Sequence, residues 1–120
     1  MNLTPSREDY LETLLLLEKE NIKIKSVDIA TMLNISKPSV TKAMNNLKDL
    51  GLIEKTSYSS ITLTDEGRKL AEEIFDRHKT IKSFLLQLGV SKETADDDCC
   101  KIEHVISKET LECIKKFINE

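Results

Sequence analysis

The sequence predicts a mainly α-helical fold with one small β-wing: an N-terminal winged helix-turn-helix over residues 1–63, followed by a helical domain over residues 64–120. Three observations predict it. Two short amphipathic helices with cap signals meet in a tight turn around Asn34 and Ile35. Two β-prone runs follow at once, Leu52 to Tyr58 and Ile61 to Leu63. From Thr64 onward, apolar residues recur at helical spacing, and Gly89 is the first strong stop.

Composition fits that architecture. The chain has 120 residues, 39% hydrophobic and 32% charged, with no Trp, which suits one domain or two very small ones sharing a core and is too apolar for a disordered chain. No apolar run is long enough to cross a bilayer, and the N-terminus lacks the order of a signal peptide, so a cytoplasmic location without a membrane partner is expected. The three cysteines, Cys99, Cys100 and Cys113, are too few and too clustered for a disulfide framework.

Taken in order, Met1 to Ser6 reads as an arm, with Thr4 as a cap and Pro5 at the first helical position. The helix runs to about Glu20, with Tyr10, Leu14 and Leu17 on one side and Leu11 and Leu15 adjoining as a broad apolar face. Ser26 is expected to cap a second helix ending near Asn34, and Ser36 a third, in which Pro38 sits in the first turn and Gly51 ends the run. Ser59 and Ser60 join the two strands of the wing. Thr64 opens a long helix carrying Leu70, Ile74, Ile81 and Leu85. Ser91 caps the next, Lys92 to about Ile106, and Ser107 the last.

The net charge is -3, yet it is unevenly spread. Between Asn21 and Ser60 six lysines face three acids, whereas acids gather at Glu8, Asp9 and Glu12 and again at Asp96, Asp97 and Asp98. The outward face of the third helix offers Ser36, Lys37, Pro38, Ser39, Thr41, Lys42, Asn45, Asn46 and Lys48, with no acid before Asp49. Hydroxyls and amides can reach base edges and lysines can neutralise phosphates, so this face suits a DNA major groove, with Ser59 at the wing tip as a backbone contact. The alternative is an ordinary solvated face.

A second pattern lies near the C-terminus, in Cys100-Lys101-Ile102-Glu103-His104. At helical spacing, a thiol, a carboxylate and an imidazole share one face, and all three are donors to first-row transition metals. Three ligands leave a divalent ion unsaturated. Asp9 and Glu12, three apart on the first helix, and His78 are the obvious further donors. Each also has a plainer reading: the two acids as first-turn partners of the helix dipole, His78 as a structural residue, Cys100 as a small buried one. Cys99 is expected to point away from this face.

Together, Glu8-Asp9-Tyr10-Leu11-Glu12, Ser36-Lys37-Pro38-Ser39-Val40-Thr41, Leu63-Thr64-Asp65-Glu66-Gly67, Arg77-His78 and Cys100 with Ile102 to Ser107 resemble the diphtheria toxin repressor family of iron- and manganese-dependent transcriptional regulators. The likeness is greater to its short branch of manganese transport regulators. It implies a helical metal-binding and dimerisation domain, a homodimer on a pseudo-palindromic operator in double-stranded DNA, and control of metal uptake. It also implies metal ligands at Asp9, Glu12, His78, Cys100, Glu103 and His104. Cys100 matches the iron branch, whereas Asp9 and Glu12 match the manganese branch. Iron(II) or manganese(II) is therefore the expected cofactor, with cobalt or zinc as further candidates. Lys82 and Asp96 stand where iron-type members carry an acid and a histidine of a secondary site. Two rival classes are a thiol-based redox regulator using Cys99 and Cys100, and a metallohydrolase, for which no nucleophile is positioned.

Overall fold

The computed structural model describes residues 5–20, 23–56 and 60–119. The expected cap at Thr4 and the wing-tip residues Ser57, Tyr58 and Ser59 lie outside the described residues. The element order is α1 (Pro5–Lys19), α2 (Ser26–Leu33), α3 (Lys37–Asp49), β1 (Ile53–Lys55), β2 (Ile61–Leu63), α4 (Asp65–Gln87), α5 (Lys92–Ile102) and α6 (Lys108–Ile118). The chain divides into two compact units, Met1–Glu72 and Glu73–Glu120.

In the first unit, the apolar stripes of α1, α2 and α3 meet in a core of Leu11, Leu14, Leu15, Ile29, Met44 and Leu47, each at most 2% exposed. The tight turn between α2 and α3 is made by Asn34, which ends α2 in the left-handed region at φ 54°. Asn tolerates that conformation because its short amide can bond locally. Ser36 caps α3 as expected, its Oγ accepting from the Ser39 amide at 3.3 Å. Ser26 does not cap α2. Lys25 holds that position, and the Asp28 carboxylate accepts from the Lys25 amide at 2.9 Å, so an acid three residues on supplies the cap that a hydroxyl was expected to give.

The wing is a two-stranded antiparallel sheet in the register Ile53 to Leu63, Glu54 to Thr62 and Lys55 to Ile61. Its first strand is shorter than the Leu52–Tyr58 run suggests. Ser60, expected in the connecting turn, is buried and its carbonyl accepts from the Thr56 amide at 2.8 Å, extending the pairing. The Ile61 amide donates to the Ile24 carbonyl at 2.9 Å, which ties the segment before α2 to the wing. Arg68 on α4 forms a two-pronged ion pair with Glu18 on α1, at 2.8 and 3.1 Å.

In the second unit, Ile81 from α4, Cys99 from α5 and Leu111 from α6 form the core, with Leu85, Ile102 and Ile106 packed against it. Phe84 and Phe117 meet edge to face, centroids 6.0 Å apart. Ser91 and Ser107 cap α5 and α6, accepting from Thr94 and Thr110 amides at 3.3 and 3.1 Å. Helix α5 stops at Ile102, not near Ile106. The next residues form a turn in which Val105 and Ile106 amides return to the Ile102 carbonyl at 3.1 and 3.0 Å, freeing Ser107 to start a new helix.

Candidate metal centre and nucleic-acid interface

The early end of α5 changes how the Cys100 to His104 pattern is presented. Cys100 lies on the last turn of the helix, while Glu103 is its C-cap and His104 lies in the turn beyond. Glu103 still has helical dihedrals, φ -58° and ψ -27°, and its amide bonds the Cys99 carbonyl at 3.0 Å. It therefore keeps the face it would have on a continued helix.

Glu103 is the centre of this arrangement. Its side chain is 1% exposed, and the described residues contain no buried side-chain nitrogen or oxygen without a partner. The Nδ1 atom of His78, on α4, is 3.0 Å from Glu103 Oε2, and His104 Nε2 is 3.5 Å from Oε1. Two imidazoles thus flank one buried carboxylate. An octahedral ion with bonds near 2.1 Å separates adjacent ligand atoms by about 3 Å, so these spacings fit a divalent first-row ion. Cys100 Sγ lies 4.0 Å from His78 Nδ1. The second unit thereby links Cys100 to His78, His78 to Glu103 and Glu103 to His104, a chain of neighbouring pairs that holds four of the six expected ligands. Asp9 and Glu12 belong to the first unit, where they stand three residues apart on α1.

Cys99 was not expected here. Its Sγ lies 3.6 Å from His78 Nδ1 and 3.7 Å from Nε2, and donates to the Asp96 carbonyl at 3.3 Å. It faces the histidine instead of pointing away. The overlooked signal is spacing, since Cys99 and Glu103 are four apart and share a face. Burial, with the nearby Cys100 and Glu103 charges adding to it, pushes the Cys99 thiol up to about 12. Lys82 and Asp96 pair with each other at 2.7 Å, and that hydrogen bond holds the Asp96 carboxyl below its ordinary range and Lys82 above its own.

The nucleic-acid candidates lie on α3. Val40, Ala43, Met44 and Leu47 are buried, which leaves Ser36, Lys37, Pro38, Ser39, Thr41, Lys42 and Asn45 exposed and Asn46 half-buried. A shallow depression is lined by Lys37, Pro38, Thr41, Lys42, Asn45 and Asn46. From the wing, Lys55 Nζ donates to Asn45 Oδ1 at 2.8 Å, which turns the amide's NH2 away from the lysine. Sequence reading missed this bracket because strand register, unknown beforehand, sets which wing side chain reaches α3. Ser59 falls outside the described residues.

Both halves of the chain match known family models. Residues 2–61 match the iron dependent repressor N-terminal DNA binding domain, and residues 64–120 match the iron dependent repressor metal binding and dimerisation domain. A helix-turn-helix-type transcriptional regulator of Methanocaldococcus jannaschii is 42% identical over 120 residues, covering 98% of this chain and 96% of its own. The transcriptional regulator MntR of Escherichia coli O6:H1 is 41% identical over 110 residues, covering 92% of this chain and 71% of its own. Among solved structures, the manganese regulator SloR superposes with a TM-score of 0.86 at 29% identity, over 98% of this chain and 55% of SloR. A zinc-bound structure of ScaR gives 0.81 at 31% identity, over 94% of this chain and 53% of ScaR. The chain thus spans about half the length of those two structures. No helix among the described residues is long and apolar enough to cross a membrane.

Proposed function

This chain belongs to the iron-dependent repressor family of metal-dependent transcriptional regulators, which are not enzymes, and from that premise we propose that it represses metal-uptake genes as a dimer on a pseudo-palindromic operator. Binding is switched on by a divalent ion held by Asp9, Glu12, His78, Cys100, Glu103 and His104. The observation that carries this reading is the Glu103 carboxylate, buried and flanked by His78 and His104. The redox reading of Cys99 and Cys100 gains no support from the relatives.

The ion supplies positive charge among Asp9, Glu12 and Glu103, three carboxylates that repel one another when brought together. His78 and His104 hold Glu103 in place and offer their own nitrogens once their protons are lost. Because Asp9 and Glu12 come from α1 and the other four donors from α4, the last turn of α5, its C-cap and the turn that follows, loading narrows the orientations α3 can adopt. DNA binding then costs less ordering, a positive coupling. The donor set mixes carboxylates, imidazoles and a thiolate, which favours iron(II), with manganese(II) next and cobalt or zinc behind. Exposed Leu86, Leu88 and Phe117 in the second unit are apolar surface that a second copy can cover, and a two-fold dimer places two α3 helices on one face of a duplex.

The test is selection from a randomised duplex library by the full chain, anaerobically, with manganese(II), iron(II) or a chelator. A two-fold symmetric motif is expected only with metal. Affinity for the enriched duplex should rise about 5- to 150-fold on loading, and Glu103→Gln or His104→Ala should abolish the rise. The same motif and affinity in chelator, or undiminished stimulation of both variants, rules the mechanism out.

A further inference from the structure

We propose that His78, Cys99 and Cys100 form a second, sulfur-rich ligand set that takes a soft or borderline divalent ion such as zinc or cobalt, in competition with the oxygen-rich set around Glu103. The three side chains each offer one ligand atom, and these atoms all lie within 4.8 Å of one another. Spacing decides what they suit. A tetrahedral ion with bonds of about 2.3 Å to sulfur and about 2.0 Å to nitrogen separates those donors by about 3.5 Å. Cys99 Sγ stands 3.6 and 3.7 Å from the two His78 nitrogens, and Cys100 Sγ 4.0 Å from Nδ1, so the donors have the right spacing and a turn of the imidazole that aims one lone pair at the sulfurs closes the set. Ligation replaces each S–H bond with a sulfur–metal bond, and the protons leave to solvent. All three donors come from the second unit, which leaves an open fourth position for water.

The two sets cannot fill together. A neutral imidazole has one lone pair, so His78 serves one ion at a time; ligation through Nε2 leaves Nδ1–H on Glu103, whereas ligation through Nδ1 gives up that 3.0 Å contact. Ion chemistry then sorts the outcome: thiolates draw zinc and cobalt, whereas carboxylates draw manganese and iron(II). The sulfur-rich set needs neither Asp9 nor Glu12. If the function proposed above holds, on which this consequence rests, an ion captured there loads the protein without completing the activating set. The arrangement is a filter against the wrong metal.

The direct test counts sulfurs. X-ray absorption on the zinc-loaded wild-type chain should show two sulfur ligands per zinc, and one or none overturns the site without recourse to any variant. With cobalt(II), the thiolate-to-metal charge-transfer absorbance should fall by about half in Cys99→Ser and vanish in the Cys99→Ser, Cys100→Ser double variant. An unchanged Cys99→Ser spectrum in a folded sample also overturns it. Zinc should stimulate DNA binding at least about tenfold less than manganese, and the ratio should move toward one in Cys99→Ser. Two sulfurs per zinc with equal stimulation by both ions keeps the site and removes its filtering role. Failure of every metal to stimulate DNA binding instead removes the repressor mechanism, while the sulfur count still decides the site.

Discussion

Replacing Gly67 with Ala sets two effects of opposite sign against each other. Gly67 lies in the first turn of α4, where Ala is the better helix former by about 1 kcal/mol, so propensity alone predicts a more stable protein. Geometry opposes it. A Cβ on Gly67 would stand 1.9 Å from the Leu52 carbonyl oxygen and 2.9 Å from its carbon, where ordinary contact begins at 3.4 Å. The obstacle is backbone, which no rotamer change removes. The start of α4 must therefore retreat from Leu52, in the turn between α3 and β1, by over an ångström. That retreat stretches the Thr64 amide bond to the Leu52 carbonyl, now 3.1 Å, and the Thr64 hydroxyl bond to the Gly51 carbonyl, now 2.7 Å. Two hydrogen bonds contribute about 1 kcal/mol each, and overpacking costs about 1 to 3 kcal/mol more. After the helix gain is subtracted, a loss of about 2 to 4 kcal/mol remains. For a unit of this size that lowers Tm by at least about 10 °C. The chain has no Trp, and Tyr10 and Tyr58 both fall within Met1–Glu72, so tyrosine fluorescence during thermal melting follows that unit. Gly51→Ala is the control: nothing lies within 4 Å of its Cβ, and only its φ of 76° is strained, at about 1 kcal/mol. A Gly67→Ala protein as stable as wild type refutes the steric argument.

Ser36→Ala removes the oxygen that accepts from the Ser39 amide; chemical denaturation should show the first unit destabilised by about 1 kcal/mol. Lys55→Met should weaken binding to the selected duplex and reduce the slope of log affinity against log salt by about 1 if the lysine meets a phosphate in the complex; an unchanged slope assigns it to holding Asn45 alone. Asp96 titrates below its ordinary range in the folded protein because Lys82 donates to it. A depressed folded pKa stabilises above the unfolded carboxylate pKa and ceases to do so as pH falls through the folded value. Wild type should therefore exceed Asp96→Asn in stability at neutral pH, and the gap should close in acid; a gap that persists there means packing, not the ion pair, carries the effect.

Much of this was legible because it is local. Ser36, Ser91 and Ser107 each announce a helix start, and the 3.6-residue apolar repeat locates the buried faces of α1, α3 and α4. What escaped was decided by tertiary contact. Whether α5 ends at Ile102 or continues to Ile106 is a competition between one more helical turn and the Ser107 cap of α6, and propensity does not rank the two. The direction of Cys99 depends on where α4 places His78, and the pairing of Lys55 with Asn45 on strand register. Lys82 and Asp96 looked like two separate departures from a family pattern, yet they are one ion pair bridging α4 and α5.

Glu103 gives the strongest reason to read the second unit as a site and not merely a small helical core. A carboxylate at 1% exposure has lost nearly all its water, a change that costs several kcal/mol before its partners are counted. An apolar side chain of similar size would pack there at no such cost. The core it adjoins is small, with Ile74, Ile81, Ala95, Cys99 and Leu111 as the buried apolar side chains among the described residues, so this unit is poorly placed to bear a penalty that does nothing. Histidines on both sides add two more groups that packing alone does not require. The cluster makes physical sense when a cation is part of the account, since the same carboxylate that burdens the unloaded fold then becomes its strongest attachment. In the mechanism proposed above, stability and signalling are joined through that one residue: an ion that loads the site stabilises the state that reads DNA.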